Sequence, residues 1–117
     1  MCRPNDMQQQ YRIRKNGQFR YVYRKGKGAG GQLMGLTYLR SGRMQVGFSV
    51  SKKVGNAVVR NRVKRRMREY FRLRMPQLRT GQYVFTARPA AAQADYHTLA
   101  RDMEALLKRL GLHKPLL

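Results

Sequence analysis

Residues 49–69 read SVSKKVGNAVVRNRVKRRMRE. This segment leads from the end of an apolar strand, through a short basic loop, into a helix that Gly55 and Asn56 open. The apolar residues of the helix fall within about 120° of arc, the width of an ordinary core-facing stripe. That stripe consists of Val59, Val63, Met67, Tyr70 and Phe71. We therefore expect one face of the helix to pack on a core, and Pro76 to end it.

The other face of this helix carries cations with little acid to balance them. Like charges three or four residues apart repel by a few tenths of a kcal/mol per pair on a bare helix. A merely solvated face would normally alternate the signs of its charges, so we interpret this one as a phosphate-binding surface. Lys52 and Lys53 add charge beside the helix N-terminus, where the dipole favours anions. The polar face holds Asn61, Arg62, Lys64, Arg65, Arg68 and Arg72, with Arg60 and Arg66 at its margins.

The whole chain repeats this imbalance of charge. Its 117 residues include 26 Lys+Arg and 5 Asp+Glu, giving a formal net charge of +21. Leu, Ile, Val and Phe make up about 21% of the residues, just above the level typical of disordered chains. The length allows one domain, and the charge implies a polyanionic partner, for which nucleic acid is the obvious candidate.

Several other classes of protein are excluded by composition. No apolar run is long enough to span a membrane, and the first residues lack the apolar core of a signal peptide. Cys2 is the single cysteine, and His97 and His113 lie far from it in sequence, so neither a disulfide nor a zinc site is expected. We expect a cytoplasmic protein with no metal held by the protein alone.

The fold class follows from the order of the elements. We predict a helix from Asn16–Gly17 to Gly26, a glycine-rich loop over 26–31, strands over 33–39, 44–51 and 82–87, and a last helix over 95–110. The first two strands are expected to form a hairpin at Ser41–Gly42. The order α-β-β-α-β-α indicates an α+β two-layer sandwich with a small central sheet. We predict a flexible N-terminus over 1–10, one RNA-binding domain over 11–112 and a tail over 113–117.

A specific motif lies within the cationic helix. Residues 53–58 read KVGNAV, residues 60–65 read RNRVKR, and Arg68 precedes Glu69. Together they resemble the signature of bacterial ribonuclease P protein subunits. A generic basic helix would not require Gly55, Ala57 or Asn61. The resemblance covers roughly residues 11–110 and includes Arg12, Arg14, Lys15, Asn16, Phe19, the strand 46–51 and the turn Ala87-Arg88-Pro89.

The resemblance implies a function. Members of the family assist a catalytic RNA that removes the 5′ leader from precursor tRNA. The RNA subunit holds the Mg²⁺ ions and hydrolyses the phosphodiester, so no catalytic residue is expected in this chain. The implied partners are ribonuclease P RNA and precursor tRNA, with no membrane and no obligate protein partner. The family fold also implies a left-handed crossover from strand 46–51, through the cationic helix, to strand 82–87, against the usual right-handed rule.

The resemblance also implies two RNA-binding surfaces. One surface faces the catalytic RNA, and the other is a cleft for the 5′ leader that includes a residue of the first predicted strand. Either Thr37 or Tyr38 would fill this strand position, and the two lie on opposite faces of a strand. Aromatic stacking combined with cations suits single-stranded RNA, and we expect Phe19 or Tyr23 to be partly exposed. The surface toward the catalytic RNA comprises Lys52, Lys53, Arg60, Asn61, Arg62, Lys64, Arg65 and Arg68. The cleft for the 5′ leader comprises Arg12, Arg14, Phe19, Tyr23, Ser49 and Ser51.

Three other functions remain open from the residues alone. A general or ribosomal RNA-binding protein would fit the charge equally well. A protein-only nuclease is disfavoured because the five acids do not cluster as a metal centre requires. DNA binding is compatible with the charge, but no standard reader motif such as a zinc finger or basic zipper is present.

The excess charge predicts a stability that depends on anions. Sulfate or phosphate should raise the melting temperature above that in chloride of equal ionic strength, because a bound anion stabilises the folded chain. At tenfold above the dissociation constant the gain is about 1.4 kcal/mol. Thermal melts followed by circular dichroism measure this shift. Equal melting temperatures in the two salts would contradict the prediction.

Overall fold

The computed structural model describes residues 11–13 and 15–114. The predicted flexible N-terminus 1–10, Arg14 and residues 115–117 lie outside the described residues. Two short 3₁₀ turns, at Met75–Gln77 and Pro89–Gln93, separate the later elements. The elements are α1 (Asn16–Lys25), β1 (Lys27–Gly30), β2 (Met34–Arg40), β3 (Gln45–Ser49), α2 (Ala57–Arg74), β4 (Gly81–Ala87) and α3 (Tyr96–Arg109).

The four strands form one mixed sheet in the order β1-β2-β4-β3. The two strands predicted to form a hairpin at Ser41–Gly42 correspond to β2 and β3. This prediction is wrong, because β4 lies between them. β4 is antiparallel to β2 and parallel to β3, with Val84 paired to both Thr37 and Gly47. Neighbouring strands lie about 4.8 Å apart, so the short link 41–44 can cross the end of β4. The predicted β-α-β connection is present, since α2 joins the adjacent parallel strands β3 and β4.

The loop predicted over residues 26–31 is also corrected. Lys27–Gly30 forms the edge strand β1, antiparallel to β2 from Lys27 opposite Tyr38 to Gly30 opposite Gly35. Four glycines within residues 26–31 made this segment resemble a flexible loop. A short strand bearing an exposed lysine is a common way to protect the edge of a sheet from further pairing.

The main core lies between one face of the sheet and the helices α2 and α3. Phe71 of α2 packs edge-on against Tyr83 and Phe85 of β4, with ring centroids 5.1 and 5.8 Å apart. A second, smaller cluster lies on the opposite face, where Val22 of α1 and Ile13 pack on Val84. The α+β sandwich of helices and sheet is thus confirmed. In the part of the chain that the structure describes, no helix has the length and apolar character needed to cross a membrane.

Helix α2 follows the prediction from its apolar stripe. Its N-cap is Asn56, whose Oδ1 accepts a hydrogen bond from the Val59 backbone N–H at 3.0 Å. Val59 itself is half-buried. The helix ends at Arg74, and Pro76 lies in the 3₁₀ turn that follows. The fully buried part of the stripe consists of Val63, Met67, Tyr70 and Phe71.

The two residues that follow Leu112 contact the segment after α2. His113 pairs with Leu78 as an isolated β-bridge, and the Lys114 N–H donates to the Gln77 carbonyl at 2.8 Å. The His113 Nε2 also lies 2.9 Å from a carboxylate oxygen of Glu104, whose other oxygen accepts from the Tyr70 hydroxyl. Burial is the main cause that raises the pKa of Tyr70, and the hydrogen bond to Glu104 raises it further. The Tyr70 hydroxyl therefore stays protonated.

The N-cap of α3 predicts a dependence of stability on pH. Asp95 Oδ1 accepts from the Thr98 N–H at 2.8 Å, and this bond lowers the pKa of Asp95. A lowered carboxyl pKa contributes stability above its unfolded value of about 3.9, and loses it as pH falls through the folded value. Asp95→Ala should therefore be less stable than the wild type at pH 6, with the difference shrinking below about pH 4. Urea unfolding across this pH range measures both proteins.

Asp95→Asn serves as the control, because its amide oxygen caps the helix without titrating. The difference in unfolding free energy between Asp95→Asn and Asp95→Ala should stay constant with pH. A gap between wild type and Asp95→Ala that is equally large at pH 3 and pH 6 would show that the charged cap is not responsible.

Candidate nucleic-acid interface

An open groove runs along the edge strand β3, between α1 and α2. Only β4 pairs with β3 as a strand, and the other side of β3, which residues 12 and 13 contact at Val46, forms the floor of this groove. The larger part encloses about 520 Å³, and a smaller part continues toward the start of β3. We call the two parts together the β3 groove. Its lining residues are Arg12, Ile13, Asn16, Phe19, Arg20, Tyr23, Val46, Gly47, Phe48, Ser49, Val50, Lys64 and Arg68.

Two aromatic side chains of α1 form one wall of the groove. Phe19 packs directly on Gly47, where an added Cβ would lie 2.5 Å from the ring. Tyr23 is 42% exposed, and its hydroxyl forms a 2.6 Å hydrogen bond with Thr86 Oγ1 of β4. The expected partial exposure of an aromatic residue on this helix is therefore confirmed. Each ring is fixed by the sheet while it lines the groove.

Cations surround these rings, and none of the described lining residues is acidic. Arg12 is held beside β3, where it forms a bridge with Val46 and the Ile13 N–H donates to the Val46 carbonyl at 2.9 Å. The buried Nε of Arg12 has no hydrogen-bond partner among the described residues. Arg20 is exposed on α1 and Lys64 approaches from α2. The groove therefore offers positive charge together with aromatic surface.

The cations of α2 point in more than one direction. Lys64 and Arg68, four residues apart, line the β3 groove. Arg66 points the opposite way and donates to the Ala94 carbonyl at 2.6 Å, near the end of the Pro89–Gln93 turn. Arg62 lies on that same side, with Nη2 at 3.5 Å from the Ala92 carbonyl. The single polar face expected from the sequence is thus divided between two flanks of the helix.

Between these flanks, Arg65 and Asn61 are exposed to solvent. Glu69, the one acid among eight cations on α2, pairs with Arg72 at 2.7 Å. Arg60 is half-buried, and its Nε lacks a hydrogen-bond partner among the residues described. Among the described residues of α2, Glu69 therefore offsets only a small part of the positive charge of the helix.

The remaining predicted site residues are placed as follows. Arg12, Phe19, Tyr23 and Ser49 line the groove, whereas Ser51 is exposed beyond its end. Lys52 and Lys53 are exposed in the turn between β3 and α2, which the Val54 N–H closes by donating to the Ser51 carbonyl at 3.1 Å. Arg14 is outside the described residues. Lys64 and Arg68, assigned from sequence to the surface for the catalytic RNA, line the groove.

Neither Thr37 nor Tyr38, the two candidates for the strand position of the leader cleft, lines the groove. Tyr38 points to the core side, where its ring centroid is 4.9 Å from that of Tyr83 and its hydroxyl donates to the Thr80 carbonyl at 2.7 Å. Thr37 lies on the α1 side, beneath the end of that helix at Gly26. The aromatic strand residue of the groove is instead Phe48, stacked on Phe85 with centroids 5.7 Å apart.

Sequence reasoning missed seven lining residues, which are Ile13, Asn16, Arg20, Val46, Gly47, Phe48 and Val50. Asn16 and Arg20 are four residues apart on α1 and flank the Phe19–Tyr23 pair, so helical spacing alone would have found them. In the sequence, Val46, Phe48 and Val50 alternate with small or polar residues, a pattern that predicts a buried face for Phe48. Only the position of β3 at the edge of the sheet brings its ring to the groove.

The contact between Phe19 and Gly47 can be tested by adding one methyl group to residue 47. Gly47→Ala would place a Cβ against the ring and displace it, at a cost of about 1–3 kcal/mol. We expect a lower melting temperature and weaker binding of a short single-stranded RNA. Gly42→Ala is the matched control, because nothing lies within 4 Å of its added Cβ. Equal behaviour of the two variants would show that Phe19 is not seated on Gly47.

Comparison with known proteins agrees with this geometry. The family model described as Ribonuclease P matches residues 7–111. The ribonuclease P protein component of Caldanaerobacter subterraneus subsp. tengcongensis is 42% identical over 106 residues, which cover 88% of this chain and 91% of that protein. The corresponding protein of Clostridium kluyveri is 42% identical over 110 residues, covering 89% and 97%.

Solved structures give the same result. The Staphylococcus aureus RNase P protein superimposes with a TM-score of 0.83 at 30% identity, covering 89% of this chain and 98% of that one. The RNase P protein from Thermotoga maritima gives a TM-score of 0.75 at 27% identity, covering 84% and 96%. The motif on α2, the fold and the matched length all agree, and the chain belongs to the ribonuclease P protein family.

Proposed function

We propose that this chain is the protein subunit of a ribonuclease P, an endoribonuclease that removes the 5′ leader from precursor tRNA. The observation that carries the proposal is the β3 groove, which combines fixed aromatic rings with cations and contains no acid among its described residues. It adjoins the exposed cations of α2. Its partners would be the catalytic RNA and precursor tRNA, in the cytoplasm, with no obligate protein partner.

The groove suits the single-stranded leader. Unpaired bases expose faces that stack on aromatic side chains, and this stacking contributes about 1–3 kcal/mol per base. Phe19, Tyr23 and Phe48 offer such surfaces, while Arg20 and Lys64 would contact the phosphates. Because stacking does not require a particular base, the groove would accept leaders of different sequence.

The exposed side of α2 suits the backbone of the catalytic RNA. Arg65 and Asn61 point to solvent here, with Lys52 and Lys53 at the N-terminal end of the helix. Since Lys64 lies on the same helix and lines the groove, one rigid element would contact both RNAs. This arrangement would fix the leader relative to the catalytic RNA.

We place the chemistry in the RNA subunit rather than in this chain. Among the described residues no three His, Cys, Asp or Glu side chains come together as a metal site, and the described acids have structural partners. Glu69 pairs with Arg72, Glu104 contacts Tyr70 and His113, and Asp95 caps α3. Mg²⁺ would stabilise charge on the reacting phosphate; the described lining residues of the groove offer it no carboxylate, and we assign it to the RNA.

Reconstitution tests the proposed function. The protein, the RNA subunit from the same genome and a precursor tRNA are mixed at low Mg²⁺, and 5′ cleavage is measured against each component alone. We expect efficient cleavage only when protein and RNA subunit are both present. Cleavage by the protein alone would overturn the assignment of the chemistry to RNA. Salt-sensitive RNA binding without any effect on cleavage would favour a general RNA-binding protein.

Two variants separate the surfaces. Arg65→Gln should weaken binding of the RNA subunit and reduce the slope of log K against log salt by roughly 0.7–0.9. Arg20→Gln should weaken binding of precursor tRNA but not of mature tRNA, which has no leader. Arg101→Gln, an exposed site on α3, controls for the loss of one charge. Identical effects of all three variants would mean that only net charge matters.

A further inference from the structure

A second large cavity among the described residues lies outside the β3 groove. It encloses about 990 Å³ and shares no lining residue with the groove. It is found where β2 ends and β4 begins, at the end of the sheet away from Ser49. The C-terminal ends of α1 and α3 form its sides. We call it the basal pocket.

Five cations from five separate segments converge on the basal pocket. Lys25 ends α1, Lys27 begins β1, Arg40 ends β2, Arg79 precedes β4 and Lys114 follows α3. None of the described lining residues is acidic. Helical periodicity cannot produce such a cluster, because only the tertiary fold brings these segments together.

The floor of the pocket is rigid. The Tyr38 hydroxyl donates to the Thr80 carbonyl at 2.7 Å, and its ring lies over Gly81, where an added Cβ would be 2.5 Å away. Arg79 is held by its backbone N–H, which donates to the Leu112 carbonyl at 2.8 Å, and by Nε, which donates to the Gly111 carbonyl at 3.2 Å. Burial raises the pKa of Tyr38, while Arg40 and Arg79 act in the opposite direction, as expected of guanidinium groups near the phenol.

The cations of the pocket lack compensating carboxylates among the described residues. In the described part of the chain, no carboxylate pairs with Lys25, Lys27 or Arg40. Glu69 and Glu104 are engaged by Arg72 and by the Tyr70–His113 pair. Gathering like charges in one concavity is unfavourable in the free protein, and an anion with several negative groups would relieve it.

We propose that the basal pocket binds the phosphodiester backbone of the RNA subunit, as a second contact apart from α2. The proposal rests on the proposed function. Cations that converge on a concave site from several directions match a folded RNA, where a bend brings several phosphates together. A single-stranded leader would instead require a linear track, which the β3 groove supplies.

Paired variants test this proposal on the full chain. Lys27→Gln/Arg40→Gln removes two exposed pocket cations that make no side-chain hydrogen bond to described residues, and Arg101→Gln/Lys108→Gln removes two exposed cations of α3 outside both sites. Lys27→Arg/Arg40→Lys keeps the charges. Binding of the RNA subunit and of a ten-nucleotide single-stranded RNA is measured at several salt concentrations, with thermal melts to confirm folding.

We expect the pocket variant to bind the RNA subunit about 15- to 30-fold more weakly at 0.15 M salt, with a slope smaller by roughly 1.4–1.8. The α3 control and the charge-keeping variant should remain near wild type, and all proteins should bind the short RNA equally. An equal loss in the pocket and control variants would overturn the proposal. So would a loss confined to the short RNA, which would assign the pocket to the leader.

A failure of the proposed function can be distinguished from a failure of the basal-pocket proposal. If wild type neither supports cleavage nor binds the RNA subunit more tightly than an unrelated structured RNA, the assignment to ribonuclease P fails. If wild type supports cleavage and Arg65→Gln weakens assembly while the pocket variant does not, only the basal pocket is refuted.

Discussion

Burial of β4 on both faces is the constraint on which the rest of the structure depends. Tyr83 and Phe85 face α2 and α3, while Val84 between them faces α1, and all three are fully buried. A strand that is apolar on both sides is stable only in the interior of a sheet. β4 therefore separates β2 from β3 and leaves β3 at the edge. The groove exists because this edge remains open between helices on opposite faces.

The same arrangement connects the fold to RNA binding through Phe19. Its ring packs on Gly47 of the edge strand and also lines the groove. Such a residue contributes to the smaller core on the α1 side and to the binding surface at once. Stability and RNA affinity are consequently expected to change together when this contact is altered. The cations differ, since Arg20 and Arg65 are exposed and their loss should affect binding far more than folding.

Local sequence patterns predicted the elements whose structure is decided locally. The stripe of α2, its Asn56 cap and the α+β class were all predictable, because helical periodicity and capping act within a few residues. The partners of the strands were not, since the position of β4 depends on competition among distant segments. β1 was missed because its glycines carry no apolar pattern. The division of α2 into two flanks needed the positions of β3 and of the Pro89–Gln93 turn, and the basal pocket needed the complete fold.

The distribution of acids completes the electrostatic argument. Asp95, Asp102 and Glu104 all belong to α3 or its cap, and each holds a structural contact: Asp102 Oδ2, for instance, lies 3.4 Å from the Leu33 N–H. Among the described residues, the β3 groove, the exposed side of α2 and the basal pocket contain no acid that is not already paired. Three of the four described acids thus lie on α3 or its cap, away from the β3 groove and the exposed side of α2, which would favour binding of RNA in one orientation. With so large a net charge, orientation depends less on where the cations lie than on where the few acids are kept.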